Sequence, residues 1–423
     1  MKAKFYALAL SFLGLTSSTL AQDLRSTLAN GKATPGRQCA TMDVLKAQMA
    51  ADPSLAKRMA AVEDQTKKFE ATSTARRSTT GVITIPVVVH VLYNVEAQNV
   101  SDAQVAAQIT VLNKDFAKAN ADARLIPAAF APLAVNTNIQ FVLAKQDPTG
   151  AQTTGIIHKQ TKITSFTTND VVKFSKRGGD DAWPASNYLN LWVCNLGGGL
   201  LGYAQFPGGK ANTDGVVVLY SSLPGGSSVS YNKGRTATHE VGHWLNLRHI
   251  WGDTNCGNDL VADTPTQQTS NYGCPDYPHI TCNNKGDMSM NYMDYTDDAC
   301  MYMFSAGQAA RMNALFDTGG SRASLLNSPA ARAASQLAIS SELASKAVIH
   351  LYPNPASQTL NVSVPEKQAT TWSVKVYDLS GYEMKQAHYD GQGRVGVANL
   401  PQGLYQVVMS DGAQTIRQRF QKE

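Results

Sequence analysis

The sequence predicts an α+β fold followed by a small all-β sandwich, and three observations carry that prediction. The β-branched run Ile83–Leu92 reads as a strand buried on both faces. Strand and helix patterns then alternate as far as a helix over Thr236–Leu245. After Ser324 the chain becomes rich in Ala and Ser, and beyond about Lys346 short alternating strands separated by turns take over. A chain of 423 residues that is 43% hydrophobic and 16% charged is long enough for two folded cores and is not a disordered protein. Its formal charge of +5, without a basic run of five or more residues, argues against nucleic acid as a partner.

In chain order, residues 1–21 have the form of a secretory signal. Lys2 and Lys4 precede the apolar stretch Phe5–Leu15, and the small residues Thr19 and Ala21 set the expected cleavage before Gln22. The stretch is shorter than the ~20 apolar residues a membrane anchor needs, and no later one is long enough, so the mature protein is expected to be soluble and exported. Residues 22–77 are polar, with helical patterns at Met42–Met49 and Leu55–Val62, and lead into Ala75–Thr80. This reads as a propeptide with a cleavable tail, against the alternative of a helical extension that stays attached. A main domain is expected over 78–325, a linker over 326–346 and a β-sandwich over 347–423.

Within the main domain, Ser101 and Gln104 form a capping box for a helix whose Val105, Ile109, Leu112 and Phe116 make one core stripe. Ile139–Leu143, Tyr188–Val193 and Gly215–Tyr220 read as strands. Between the last two, glycines flank a short extended segment in Gly197–Gly209. In the C-terminal part, Leu360–Val364, Trp372–Tyr377, Arg394–Val397 and Gly403–Met409 read as strands of a domain with no Cys and no cluster of catalytic residue types.

The chemistry concentrates in His239-Glu-Val-Gly-His-Trp-Leu-Asn-Leu-Arg-His249. On a helix, His239 and His243 stand one turn apart on one face, with Glu240 aimed at the same volume. A bare H-E-x-x-H occurs by accident in buried helices. Here three of the eight His in the chain fall within the one stretch, which favours a zinc site. His249 joins that site only if the helix stops near Asn246 and the chain turns back, and Asn accepts the positive φ such a turn needs. Three neutral imidazoles would then hold Zn²⁺, with a fourth position for water. Zinc lowers the pKa of such a water towards ~7, Glu240 is placed as general base, and the same metal polarises a scissile carbonyl. The expected reaction is peptide-bond hydrolysis without a covalent intermediate. The second reading is a cell-surface binding or adhesion protein with a vestigial zinc site, which the intact Glu240 and three His argue against.

Six cysteines in an exported chain favour disulfides, and Cys256, Cys274, Cys282 and Cys300 cluster after the zinc helix with three pairings open. That segment is rich in turn formers, and its Asp253, Asp259, Asp263 and Asp287 are either partial calcium ligands or solvated loop carboxylates.

The histidine motif, with Asn291–Tyr295, Leu189–Pro207 and Phe304–Met312, resembles the metzincin metallopeptidases, specifically the pappalysin (cytophagalysin) family, over residues 82–318. The resemblance implies a twisted mixed sheet with a zinc-binding active-site helix. It makes His239, His243 and His249 the zinc ligands, Glu240 the general base, Met293 the Met-turn residue under the metal and Tyr295 a stabiliser of the tetrahedral intermediate. It turns Leu201, Gly202, Tyr203 and Ala204 into an edge strand that pairs with extended protein or peptide substrates through backbone hydrogen bonds, where an ordinary glycine-rich loop is the other reading. It suggests Cys256 with Cys282 and Cys274 with Cys300, and makes Ca²⁺ a candidate structural ion beside Zn²⁺. Cys39, in Arg37–Thr41, resembles a propeptide cysteine switch whose thiolate fills the fourth zinc position. A Cys39–Cys194 disulfide is the alternative, and Cys194 otherwise reads as a buried free thiol. The family usually has Gly where this chain has Asn246. Some relatives cut before Arg or Lys by means of an acid shortly after the Met-turn. Met301–Phe304 offers none and Asp297 and Asp298 lie nearby, so basic and apolar preferences both stay open. The tail, with Leu351–Pro355, Val376–Gly381 and Leu400–Tyr405, resembles the C-terminal sorting domain of the type IX secretion system. That implies contact with this machinery and an extracellular or cell-surface location, against a carbohydrate-binding or adhesive sandwich.

Overall fold

The computed structural model describes residues 36–71, 81–330, 350–363, 373–378, 382–410 and 415–423. The leader expected at 1–21 and the cleavable tail at Ala75–Thr80 lie outside the described residues. The chain divides into two compact units, residues 1–331 and 332–423.

In the first unit, α1 (Thr41–Ala51) and α2 (Leu55–Ala71) precede β1 (Ile83–Tyr93), followed by α3 (Asp102–Phe116), β2 (Ile139–Leu143), β3 (Ile156–Gln160), β4 (Leu189–Cys194), β5 (Gly202–Ala204), β6 (Val216–Leu219), α4 (Arg235–Trp244) and α5 (Ala306–Ala314). The sheet runs β2-β1-β4-β6-β5, with β3 beside the second half of β1. All its pairings are parallel except β5 against β6, so the sheet is mixed and β5 is its antiparallel edge. β1 is central because it has no polar face to give to water: Ile85, Val87, Val88, Val89 and Val91 are all fully buried. Strand β3 was not anticipated, since Ile156–Gln160 has little apolar content and is buried only in part.

The capping box of α3 is formed as expected, with Ser101 accepting from the Gln104 amide and Gln104 from the Ser101 amide. Its stripe Val105, Ile109, Leu112 and Phe116 joins a core that also contains Val241 and Trp244 of α4 and the Met293 loop. The expected linker start at 326 is corrected: Ala330 is buried beside Val88 and Tyr188, and the Ser328 hydroxyl donates to Asn187 O, so these residues close the first unit's core.

The second unit contains β7 (His350–Tyr352), β8 (Thr359–Ser363), β9 (Ser373–Asp378), β10 (His388–Tyr389), β11 (Arg394–Gly396), β12 (Gly403–Ser410) and β13 (Thr415–Lys422). They form a four-stranded sheet β10-β11-β8-β7 and a three-stranded sheet β13-β12-β9. Leu360, Val362, Val376, Val395, Val407 and Phe420 fill the core of this unit. Strands β7, β10 and β13 are not legible in the sequence because two are very short and the third has only Ile416 and Phe420 as apolar residues among eight. No helix among the described residues is long and apolar enough to cross a membrane.

Candidate metal centre and active site

The site is built on α4, every residue of which is buried. Its N-terminus is tied down by charge. Arg235 pairs with Asp122 at 2.5 Å and Asp115 at 3.4 Å, and the Thr238 hydroxyl donates to Asp115. Its C-terminus is a Schellman turn: Asn246 N–H donates to His243 O, Leu247 N–H donates to Gly242 O, and Asn246 has φ +72°. That turn brings His249 back beneath the helix. A Cβ on Gly242 would lie 2.5 Å from Met293 Sδ, so the motif's glycine is what lets the Met293 loop pack directly under the helix.

Each imidazole is oriented by its Nδ1. His239 donates to Tyr292 O at 2.7 Å, His243 to Leu247 O at 2.8 Å and His249 to Asp253 Oδ1 at 2.5 Å. With Nδ1 carrying the proton in each ring, the Nε2 atoms are lone pairs, and they converge: 3.2 Å separates His239 from His243 and 3.1 Å separates His243 from His249. Burial, and after it the neighbouring imidazoles, push His239 and His243 well below the usual histidine pKa, so both are neutral donors. Three converging lone pairs repel one another unless a cation sits between them. Tetrahedral zinc with nitrogen ligands at about 2.0–2.1 Å requires N···N separations close to those found here. Cys39 Sγ completes the group, with all four ligand atoms within 4.8 Å of one another. Cys39 keeps some exposure, yet desolvation of its thiol, followed by the charge of Glu240, pushes its pKa well up, so a thiolate here also requires a cation. The donor set therefore fits zinc.

Glu240 faces the same volume. Its Oε2 accepts from Thr41 Oγ1 at 2.9 Å and Cys39 Sγ at 3.4 Å, and burial raises its pKa to about 7 against the opposing pull of those hydrogen bonds and of Arg37. Gly202 of β5 lies so close that a Cβ would fall 2.8 Å from Glu240 Oε1, which explains glycine in the edge strand. Tyr295 OH is 3.2 Å from His249 Nε2 and donates to Cys39 O. Burial, then the charges of Cys39 and Glu240, push its pKa far up and keep the phenol neutral.

Residues 37–41 lie along β5. Cys39 forms a parallel bridge with Gly202, Leu201 N–H donates to Gln38 O at 2.9 Å, and Ala40 N–H donates to Gly202 O at 3.1 Å. Leu201, Gly202 and Ala204 thus present backbone groups to an added chain, while the Tyr203 side chain is buried with Trp192 and Val217. Arg37 enters a pocket on one side of Cys39. There its guanidinium pairs with buried Asp298 at 2.5 Å and sits 5.0 Å from the Tyr231 ring centroid. Asp298 Oδ2 also accepts from the Lys233 and Arg235 amides. Of the two acids left open by the sequence, Asp298 is the one in the pocket.

The disulfides join Cys256 to Cys282 and Cys274 to Cys300, and Cys39 and Cys194 are both free. The four acids that are candidate calcium ligands accept hydrogen bonds from protein groups: Asp253 from His249, Asp259 from the Thr264 hydroxyl, Asp263 from the Ser305 hydroxyl and Gly307 amide, and Asp287 from Thr281, Asn284 and His279. Among the described residues only the Cys39–His group converges as a metal-ligand set. Four contributors were missed from the sequence: Arg37, Thr41, Asp253 and Arg311. Arg311 donates to Asn246 O at 2.9 Å and pairs with Glu63 of α2. Arg311 lies within Phe304–Met312 and Arg37 beside Cys39, so spacing gave both a place without giving them a partner.

Residues 173–317 match the family described as pregnancy-associated plasma protein-A, and residues 350–423 match the secretion system C-terminal sorting domain. An extracellular metalloprotease of Pyricularia oryzae is 33% identical over 270 residues, covering 60% of this chain and 82% of that protein. One from Arthroderma otae is 33% identical over 243 residues, covering 55% and 77%. Among solved structures, a promirolysin mutant from Tannerella forsythia is 48% identical, with a TM-score of 0.63, over 69% of this chain and 97% of that one. Mature mirolysin from the same organism, in complex with a cleaved peptide, is 54% identical with a TM-score of 0.58 over 59% and 97%.

Proposed function

Because the chain belongs to the pappalysin family and is a secreted metalloendopeptidase, we propose that it is made as a latent zinc precursor in which residues 36–71 block the cleft and Cys39 takes the fourth metal position. The observation that carries this reading is the convergence of Cys39 Sγ on the three Nε2 atoms while residues 37–41 occupy β5.

His239, His243 and His249 would hold the zinc, which when bound polarises a carbonyl and acidifies a water. Glu240 takes the proton at its carboxylate and returns it to the leaving amine. Tyr295 donates a hydrogen bond to the carbonyl oxygen as charge develops there. Leu201, Gly202 and Ala204 hold the substrate extended through their backbone groups. Met293 packs under the helix and ligates nothing. Arg37 in the Asp298 pocket supports a preference for a basic side chain beside the scissile bond. The sorting tail supports export through the type IX machinery.

The test compares full-chain precursor with activated enzyme, both zinc-loaded, on denatured protein. Activated enzyme is expected to cleave, Glu240→Ala is expected to be inactive, and Cys39→Ala precursor is expected to be active before processing. No cleavage by the activated enzyme, or full cleavage by Glu240→Ala, refutes catalysis at this site. Unchanged latency in Cys39→Ala refutes the switch.

A further inference from the structure

On the other side of Cys39 from Arg37, the chain continues past β5 to Phe206, which is 4% exposed. Its apolar cover is unusual in origin. The cluster around it consists of Leu45 and Leu55 with Met42, Met49 and Met59, so Phe206 is its one member from outside α1 and α2. The ring also lies edge-on to His243, with centroids 5.5 Å apart, which puts it beside the metal-ligand group. The polar groups around it are likewise held by residues 41–58. Ala204 N–H donates to Thr41 Oγ1 at 2.8 Å, Gln48 Nε2 donates to Gln205 Oε1 at 3.0 Å and Arg58 Nε donates to Gly208 O at 2.6 Å.

We propose that Phe206 floors an apolar subsite of the mature cleft, opposite the Asp298 pocket, and selects substrates with a large apolar side chain on that side of the scissile bond. This rests on the reading that residues 36–71 leave the mature enzyme. Their departure uncovers an aromatic ring two residues beyond Ala204, whose amide becomes free to fix an extended peptide. An apolar side chain arriving from that peptide replaces the Leu and Met cover, and flexible methionines are suited to filling such a pocket temporarily. The preferred substrate then has a basic residue on one side of the cleaved bond and a bulky apolar residue on the other.

The test uses full-chain precursor, zinc-loaded and activated, with intact mass recording loss of residues 36–71. Matched peptides keep the basic residue and carry Leu, Phe, Ser or Asp at each of three positions across the scissile bond from it. At one position the apolar peptides are expected to show a kcat/KM about tenfold or more above the polar ones, a ratio that Phe206→Ala reduces to about twofold or less and Phe206→Leu largely preserves. Thermal unfolding of both variants identifies a folding defect, and Phe206→Leu keeps the comparison decisive if Phe206→Ala does not fold. An absent apolar preference in the wild type, or one that survives Phe206→Ala, overturns the proposal. If the active enzyme retains residues 36–71, the precursor reading fails and the subsite fails with it, an outcome the mass separates from failure of the subsite alone.

Discussion

His239 and His243 reach the candidate metal site from a continuous helix, whereas His249 reaches it from a turn, and the two deliveries are secured differently. The helical pair is oriented by backbone carbonyls, of Tyr292 in the Met293 loop and of Leu247 in the turn itself, with no side chain between. His249 depends on a backbone turn and on two side chains: Asn246 adopts the left-handed φ, Arg311 holds the carbonyl of that residue, and Asp253 fixes the ring. Arg311 is in turn paired with Glu63 of α2, so the support of the turn extends into the segment proposed to block the cleft. The lesson is that a ligand set with one geometry has one robust side and one vulnerable side.

This contrast can be broken in graded steps. The largest effect is expected on the helix itself, where Glu240→Ala should lower kcat by about 10²–10⁴-fold while bound zinc, measured by elemental analysis, stays stoichiometric because no ligand moves. Next, Arg311→Met removes the bond to Asn246 O and leaves the Glu63 carboxylate without its partner. The precursor's first urea transition should lose about 3 kcal/mol, the low end for a broken buried pair because Glu63 is partly exposed. Asp253→Asn should weaken zinc binding by about 10–100-fold in a competition titration with a chelator. An undiminished affinity would mean that the turn alone orients His249. The smallest effect is expected for Asn246→Gly, which relieves the left-handed backbone and removes an Nδ2 that is buried without a hydrogen-bond partner. A gain of about 0.5–1 kcal/mol in the same urea transition is expected, and a loss would show that the asparagine side chain supports the turn.

Much of the site was legible because its elements are local. The H-E-x-x-H spacing places two ligands and a carboxylate on one helical face wherever that helix forms, and Asn246 signals its own turn. The capping box at Ser101 and the buried run of β1 are legible for the same reason: each rests on residues within a few positions of one another. β3 was missed because its register against β1 is set by a neighbour more than sixty residues away and leaves little trace in its own composition. The pairing of Asp253 with His249 is not legible in the sequence because a loop carboxylate has no visible partner until the loop is folded.

By itself, the sequence determined the metallopeptidase class, the α+β class with its β-rich tail, and the family, because these depend on residue types at short spacing. Only the tertiary structure decided which acid meets Arg37, what covers Phe206 and what holds the turn before His249. The reason is physical. These are contacts between segments from about 65 to 260 residues apart, and such pairings are specified by packing and charge in three dimensions and not by any local period.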